Sequence, residues 1–236
     1  MMLQGHFVDT MLDPVFRDKT NWLFYSWSFM RGITAPVFFF SAGLVFMYLL
    51  SRKSIPWRDN ERIYKGIGRG LQLIAIGYLL RLNFLALIFK GEIYSWVWGA
   101  DVLHIIGLSL LVLIGLNILQ QELKLSLPWL LGIAGFLAFY FEPAIGHADW
   151  SAMPGFLASY MVNEGFSTFT LFPWVGYALF GGVGGVLLAR NNQVSHTWWL
   201  PLTMLSVGLL FHYFSIETLI DLYRITGMEG FIAWRI

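Results

Sequence analysis

The chain has 236 residues, of which 57% are hydrophobic, 18% aromatic and only 12% charged. A water-soluble domain carries nearer a quarter charged residues, so this composition excludes an ordinary soluble globule and asks for lipid as the main solvent. A net charge of +1 excludes a broadly basic surface for nucleic acid, and the lack of cysteine excludes disulfides, thiolate zinc sites and cysteine nucleophiles.

The chain starts Met-Met-Leu-Gln-Gly-His, without the charged start and long apolar run of a signal peptide, and reads as the last part of a membrane helix. The rest of residues 1–28 is mixed, punctuated by Asp9, Asp13, Arg17, Asp18 and Lys19, with a turn at Asp13-Pro14. The first full span is Met30–Leu50, whose single charge is Arg31 at its entrance. At a 1.5 Å rise per residue, about 20 apolar residues cross a bilayer core of about 30 Å. A polar loop follows over 51–66. Further apolar spans are expected at 67–89, 102–119, 127–142, 169–189 and 197–215, whereas Ile216–Ile236 has too many polar breaks to span. The expected fold is therefore all-α: a polytopic transmembrane bundle of about six full spans plus a partial first helix, in one domain over 1–236.

Orientation follows from Lys and Arg in short loops. Arg52, Lys53, Arg58, Arg62, Lys65 and Arg69 face only two acids, Asp59 and Glu61, in and beside the first loop, which places that loop in the cytoplasm. Gly181, Gly182, Gly184 and Gly185 lie in one span, a pattern that lets helix backbones approach closely and points to packing rather than to a ligand.

Ionisable groups at membrane depth are costly and mark functional candidates. His6 falls near the outer end of the partial helix, and its titration range suits proton transfer near neutrality. Arg31 and Arg81 fall in the outer halves of their spans, where a guanidinium can anchor at the interface or hold a carboxylate, phosphate or sugar hydroxyl. Asp101 and His104, at i, i+3, share a helix face. Asp101 fits a helix N-cap, and the two together could form a carboxylate-oriented imidazole. Glu142, His147, Asp149 and Glu164 share the long 143–168 loop and its flank without a zinc-type spacing, so no metal is expected. Trp150, Phe156 and Tyr160 in that loop read as interfacial anchors. Lys65-Gly66-Ile67-Gly68-Arg69-Gly70 combines cations and glycines at an expected helix start, where backbone amides attract phosphate, although the cytoplasmic loop already accounts for the cations.

Gln4-Gly5-His6, Arg31-Gly32-Ile33-Thr34-Ala35-Pro36 followed by Phe38-Phe39-Phe40 and Gly43, Asp101-Val102-Leu103-His104-Ile105-Ile106-Gly107, and Phe172-Pro173-Trp174-Val175-Gly176 resemble, in order and spacing, the membrane acyltransferases related to heparan-α-glucosaminide N-acetyltransferase. The resemblance runs over most of residues 1–190 and is strongest to bacterial members. It implies transfer of an acyl group, usually acetyl from acetyl-CoA, to a sugar or glycan on the extracytoplasmic side of a bacterial inner membrane. It also implies a helix start and further spans lying beyond the two ends of this chain. On this resemblance His6 is the expected general base or transient acyl carrier, with Asp101 and His104 as further catalytic candidates. Arg31, Arg81 and Trp174 would face the acceptor, and Lys65 and Arg69 the donor's phosphates. The lipid bilayer, the acceptor glycan and a second copy of the chain are the expected partners. A transporter using the same buried cations is the alternative, although the sequence shows no internal repeat of the kind many transporters carry.

Overall fold

The computed structural model describes residues 2–18, 20–53, 55–162, 167–191, 202 and 206. Every regular element among them is helical. Residues 1–190 form one compact unit and 191–236 a second, in which Ser206 Oγ donates to the Leu202 carbonyl at 2.9 Å.

In chain order the helices are α1 (Met2–Met11), α2 (Trp22–Ser51), α3 (Glu61–Arg81), α4 (Phe84–Lys90), α5 (Val102–Leu123), α6 (Leu127–Tyr140), α7 (Glu142–His147), α8 (Gly155–Met161) and α9 (Trp174–Arg190). Their starts are chemically marked. Asn21, Asn60 and Asn83 each accept a backbone N–H from the first turn of α2, α3 and α4, satisfying one of the donors a helix start leaves unpaired. Pro128 opens α6, where its missing N–H costs nothing.

Two helical stretches, Trp22–Ser51 and Ser95–Leu123, are long and apolar enough to cross a membrane, and α3 with α4 makes a third if the bent pair counts as one span. This is fewer than the six expected from the apolar runs. The runs at 127–142 and 169–189 fold as helices of 14 and 17 residues, which rise only about 21 and 25 Å. The expected span at 67–89 is broken after Arg81: Asn83 restarts the helix as α4, bent 64° from α3. The run at 197–215 lies outside the described residues, apart from Leu202 and Ser206.

α5, within the Ser95–Leu123 stretch, is more enclosed than α2, with 44% of that stretch's most apolar part buried against 22%. It crosses α3 where Gly70 meets Gly107; a Cβ on Gly70 would lie 2.9 Å from the Gly107 carbonyl oxygen. α2 crosses α9 more closely still. A Cβ on Gly181 or Gly185 would collide with the carbonyl of Phe40 or Leu44, and one on Gly43 with that of Ala178. The glycine run is therefore a packing seam, as expected, and it holds helices together where the hydrophobic effect contributes little. Met47, Leu113, Leu131, Leu179 and Val186 fill the core beside this seam. The outward faces carry exposed Val37, Val45, Leu80, Phe89, Ile133 and Leu187, the surface of a chain solvated by lipid.

Candidate functional site

At one end of the bundle the C-terminus of α3 meets the N-terminus of α5. Arg81 ends α3 with its side chain mostly buried, and its Nε donates to the Trp96 carbonyl at 3.0 Å. Its Nη1 lies 3.8 Å from Asp101 Oδ2. Asp101 caps α5: Oδ1 accepts the Val102 N–H at 2.7 Å. His104 completes a reciprocal capping box, its Nδ1 accepting the Asp101 backbone N–H at 3.1 Å. The imidazole is fully buried. It lies across Gly77, where a Cβ would come within 2.6 Å of its Cε1. Because Nδ1 accepts, the neutral ring carries its proton on Nε2, and Nε2 has no partner.

Two tyrosines close over this imidazole. Tyr78 stands edge-on to it at 4.2 Å between centroids and Tyr160 at 6.1 Å, and their hydroxyls lie 3.1 Å apart. Burial and the bond with Tyr78 push Tyr160 well above the ordinary tyrosine range, so it stays a neutral hydroxyl. The segment carrying Tyr160 is tied down beside them. Thr168 donates its backbone N–H to the Ala100 carbonyl, the Ala100 N–H donates to Ser167 Oγ, and Ser167 Oγ donates to the Ser159 carbonyl.

The opposite end is built differently. The 55–60 loop is pinned to the end of α5, with Trp57 donating its backbone N–H to Gln121 Oε1 at 2.8 Å and its indole N–H to Glu122 Oε1 at 2.6 Å. Between this loop and the ends of α2, α5 and α9 lies a cavity of about 640 Å³.

Over residues 1–216 the sequence matches the family described as heparan-alpha-glucosaminide N-acetyltransferase, catalytic. The chain belongs to this family. No curated protein and no solved structure matches it significantly. Membership, with the long apolar helices, makes it an integral membrane protein of an acetyltransferase family.

Against that family the expected site residues divide. Arg81, Asp101 and His104 come together. The carboxylate of Asp101, however, bonds the α5 N-terminus and faces Arg81; it does not orient the imidazole, which is held by the Asp101 backbone instead. The i, i+3 spacing foretold the contact but not which atoms make it. Trp174 packs against Phe39, Phe169 and Tyr177 in the aromatic cluster that also takes in Ala100 and Tyr160. Arg31 is exposed on α2, its guanidinium 5.7 Å from the Trp27 ring, and Gly5 of α1 lies against its aliphatic stem. His6 follows Gly5 in α1, but its side chain lies outside the described residues.

Lys65 and Arg69 are exposed on α3, and Lys65 pairs with Glu61 at 2.8 Å. They do not sit at a helix start, because Asn60 caps α3 ahead of Glu61 and the 65–70 amides are spent inside the helix. Gly66 and Gly70 serve packing instead, Gly66 against Phe46 and Ile114. Glu142 and His147 lie on α7, Asp149 bonds the Ser151 N–H, and Glu164 is outside the described residues. Among the described residues no three His, Asp or Glu side chains gather as metal ligands. The sequence reading missed Tyr78 as a site residue and took Tyr160 for an interfacial anchor. A tyrosine beside a glycine inside an apolar span was the one local signal for Tyr78.

Proposed function

We propose that this chain is a membrane acetyltransferase that moves acetyl from a CoA thioester to a sugar or glycan on the extracytoplasmic side of a bacterial inner membrane. Family membership over residues 1–216 is the observation that carries this assignment. In the proposed arrangement the 51–66 loop is cytoplasmic, on the strength of its cations, and the Arg81 end faces the acceptor. Counting the shorter apolar helices and the 197–215 run as crossings would complete the six-span bundle of the sequence reading.

The acceptor's nitrogen or oxygen attacks the thioester carbonyl carbon, the C–S bond breaks, and the proton lost by the acceptor ends on the departing sulfur. His6 is the proposed base for that proton. Arg81 supplies positive charge for the oxyanion that forms on the carbonyl. Asp101 and His104 position Arg81 and the first turn of α5, while Arg31 and Trp174 contact the acceptor.

Vesicles holding the full chain, given labelled acetyl-CoA and glucosamine, are expected to place label on the sugar, and His6→Ala to stop transfer with membrane expression unchanged. Solute uptake without label transfer would instead identify a carrier. Unchanged turnover in His6→Ala would remove that residue from the mechanism.

A further inference from the structure

Arg81 and Asp101 are charged, yet the chain beside them is apolar. Past Leu82 and Asn83 it enters α4, bent 64° from α3. α4 buries only Ala86; Phe84, Leu85, Ile88 and Phe89 are exposed, the last two by 72% and 79%. Asn83 is the one polar side chain between Arg81 and Lys90, and it is taken up by the Ala86 N–H. Beyond α4 come Tyr94 and Trp96, exposed rings set edge-on at 5.4 Å. The Trp96 carbonyl is the group that accepts Arg81 Nε. The guanidinium and the Asp101 carboxylate, 42% exposed, thus adjoin an exposed apolar helix and an exposed aromatic pair. α3 rises about 31 Å over its 21 residues, and α4, bent this far, adds only about 5 Å along the same axis. α4 therefore extends sideways into lipid instead of onward toward water. Tyr94, Trp96 and Trp98 after it are the residue types that mark headgroup depth. A soluble glycan is held by hydroxyls, amides and carboxylates along its path, and α4 offers none. A glycan borne on a lipid needs polar contacts for its sugar and an apolar path for its anchor, and this end has both.

We infer that the acceptor is a lipid-borne glycan, whose sugar meets Arg81 and Asp101 while its hydrocarbon anchor stays in the bilayer along α4. The inference rests on the acetyl-transfer reading and adds the acceptor's carrier to it. The bonds made and broken are those already given, the attacking nitrogen or oxygen now belonging to a membrane-anchored sugar. Lipid tails are as apolar as the side chains of α4, so α4 gives the anchor a path to the site more than it gives affinity. The bilayer supplies confinement, which raises the acceptor's effective concentration at the site.

The experiment uses the full chain in phosphatidylcholine vesicles, given labelled acetyl-CoA and either a glucosaminyl diacylglycerol or free glucosamine. At equal bulk concentration the glycolipid is expected to be acetylated roughly tenfold faster or more. Its rate should fall when added phosphatidylcholine dilutes it within the membrane at constant bulk concentration. Ile88→Asp/Phe89→Asp, which puts charge on the exposed face of α4, should lower the ratio of glycolipid to glucosamine transfer roughly tenfold. Misfolding would cut both rates alike and leave that ratio unmoved. Equal transfer to the two acceptors, a glycolipid rate indifferent to dilution, or a ratio unmoved by the variant overturns the inference and leaves the acetyl-transfer reading standing. If neither acceptor is acetylated, that reading falls and binding decides the inference. Native mass spectrometry from nanodiscs should then show the glycolipid retained by the unsubstituted chain and lost from the variant, and an absence of retention overturns it.

Discussion

The two ends of the bundle handle charge in opposite ways. At the Arg81 end three ionisable groups hold the local geometry: Arg81 bonds Trp96 and faces Asp101, Asp101 caps the start of α5, and His104 Nδ1 takes the Asp101 backbone N–H. At the other end Lys53, Lys124 and Arg190 stand around a cavity with no acid in its wall. The same residue types thus stiffen one end and leave the other electrostatically unsatisfied. A charged group that is already paired shapes geometry, whereas one without a counter-charge is available to a ligand. Substitutions at the first end should therefore cost stability, and at the second end should leave it unmoved.

The largest effect is expected at neither end but in the seam that joins them. Gly181→Val drives its side chain into the Phe40 carbonyl and should cost about 3 kcal/mol or more, read as a fall in the detergent melting midpoint. His104→Ala comes next. It empties a buried site and breaks the capping box, for a loss of about 2–4 kcal/mol; a variant that melts like the parent would show that the imidazole does not hold this end together. Tyr78→Phe and Tyr160→Phe should each cost about 1 kcal/mol, and the double variant no more than the larger single loss, because one hydrogen bond is shared. Additive losses would mean that each hydroxyl has a separate partner. Arg190→Gln marks the small end of the scale, with an unmoved midpoint; a clear fall would erase the contrast between the ends.

How far the sequence could be read depends on how local each cause is. Asp101 before an apolar run is a local cap signal, and α5 starts there. The glycines of α9 are spaced by one helical turn, and they pack as that spacing implies. The start of α3 was misplaced because Asn60, not the glycines after it, ends the loop, so Lys65–Gly70 is a helix interior and offers no helix-start amides. The break at Asn83 was hidden because apolar residues flank it on both sides, and only the bond it accepts from Ala86 shows that the helix restarts. The tyrosine pair joins residues 82 positions apart, which no periodicity reports. The cavity cations come from three connections, and each was already explained by the charge asymmetry of loops. The family was legible from four short motifs whose order carried the information, and the match over 1–216 bears that out.

Acetyl transfer by Arg81→Leu is the most direct test of the proposal that the Arg81 end carries the chemistry. Labelled acetyl-CoA and glucosamine are supplied to vesicles holding either the unsubstituted chain or the variant, with both melting midpoints recorded. Label on the sugar is expected from the unsubstituted chain and a loss of roughly 100-fold or more in the variant, the scale of a missing charge partner for the oxyanion, beside a lowered midpoint from the lost Trp96 and Asp101 contacts that leaves the variant folded at the assay temperature. Transfer by Arg81→Leu at the unsubstituted rate would contradict it.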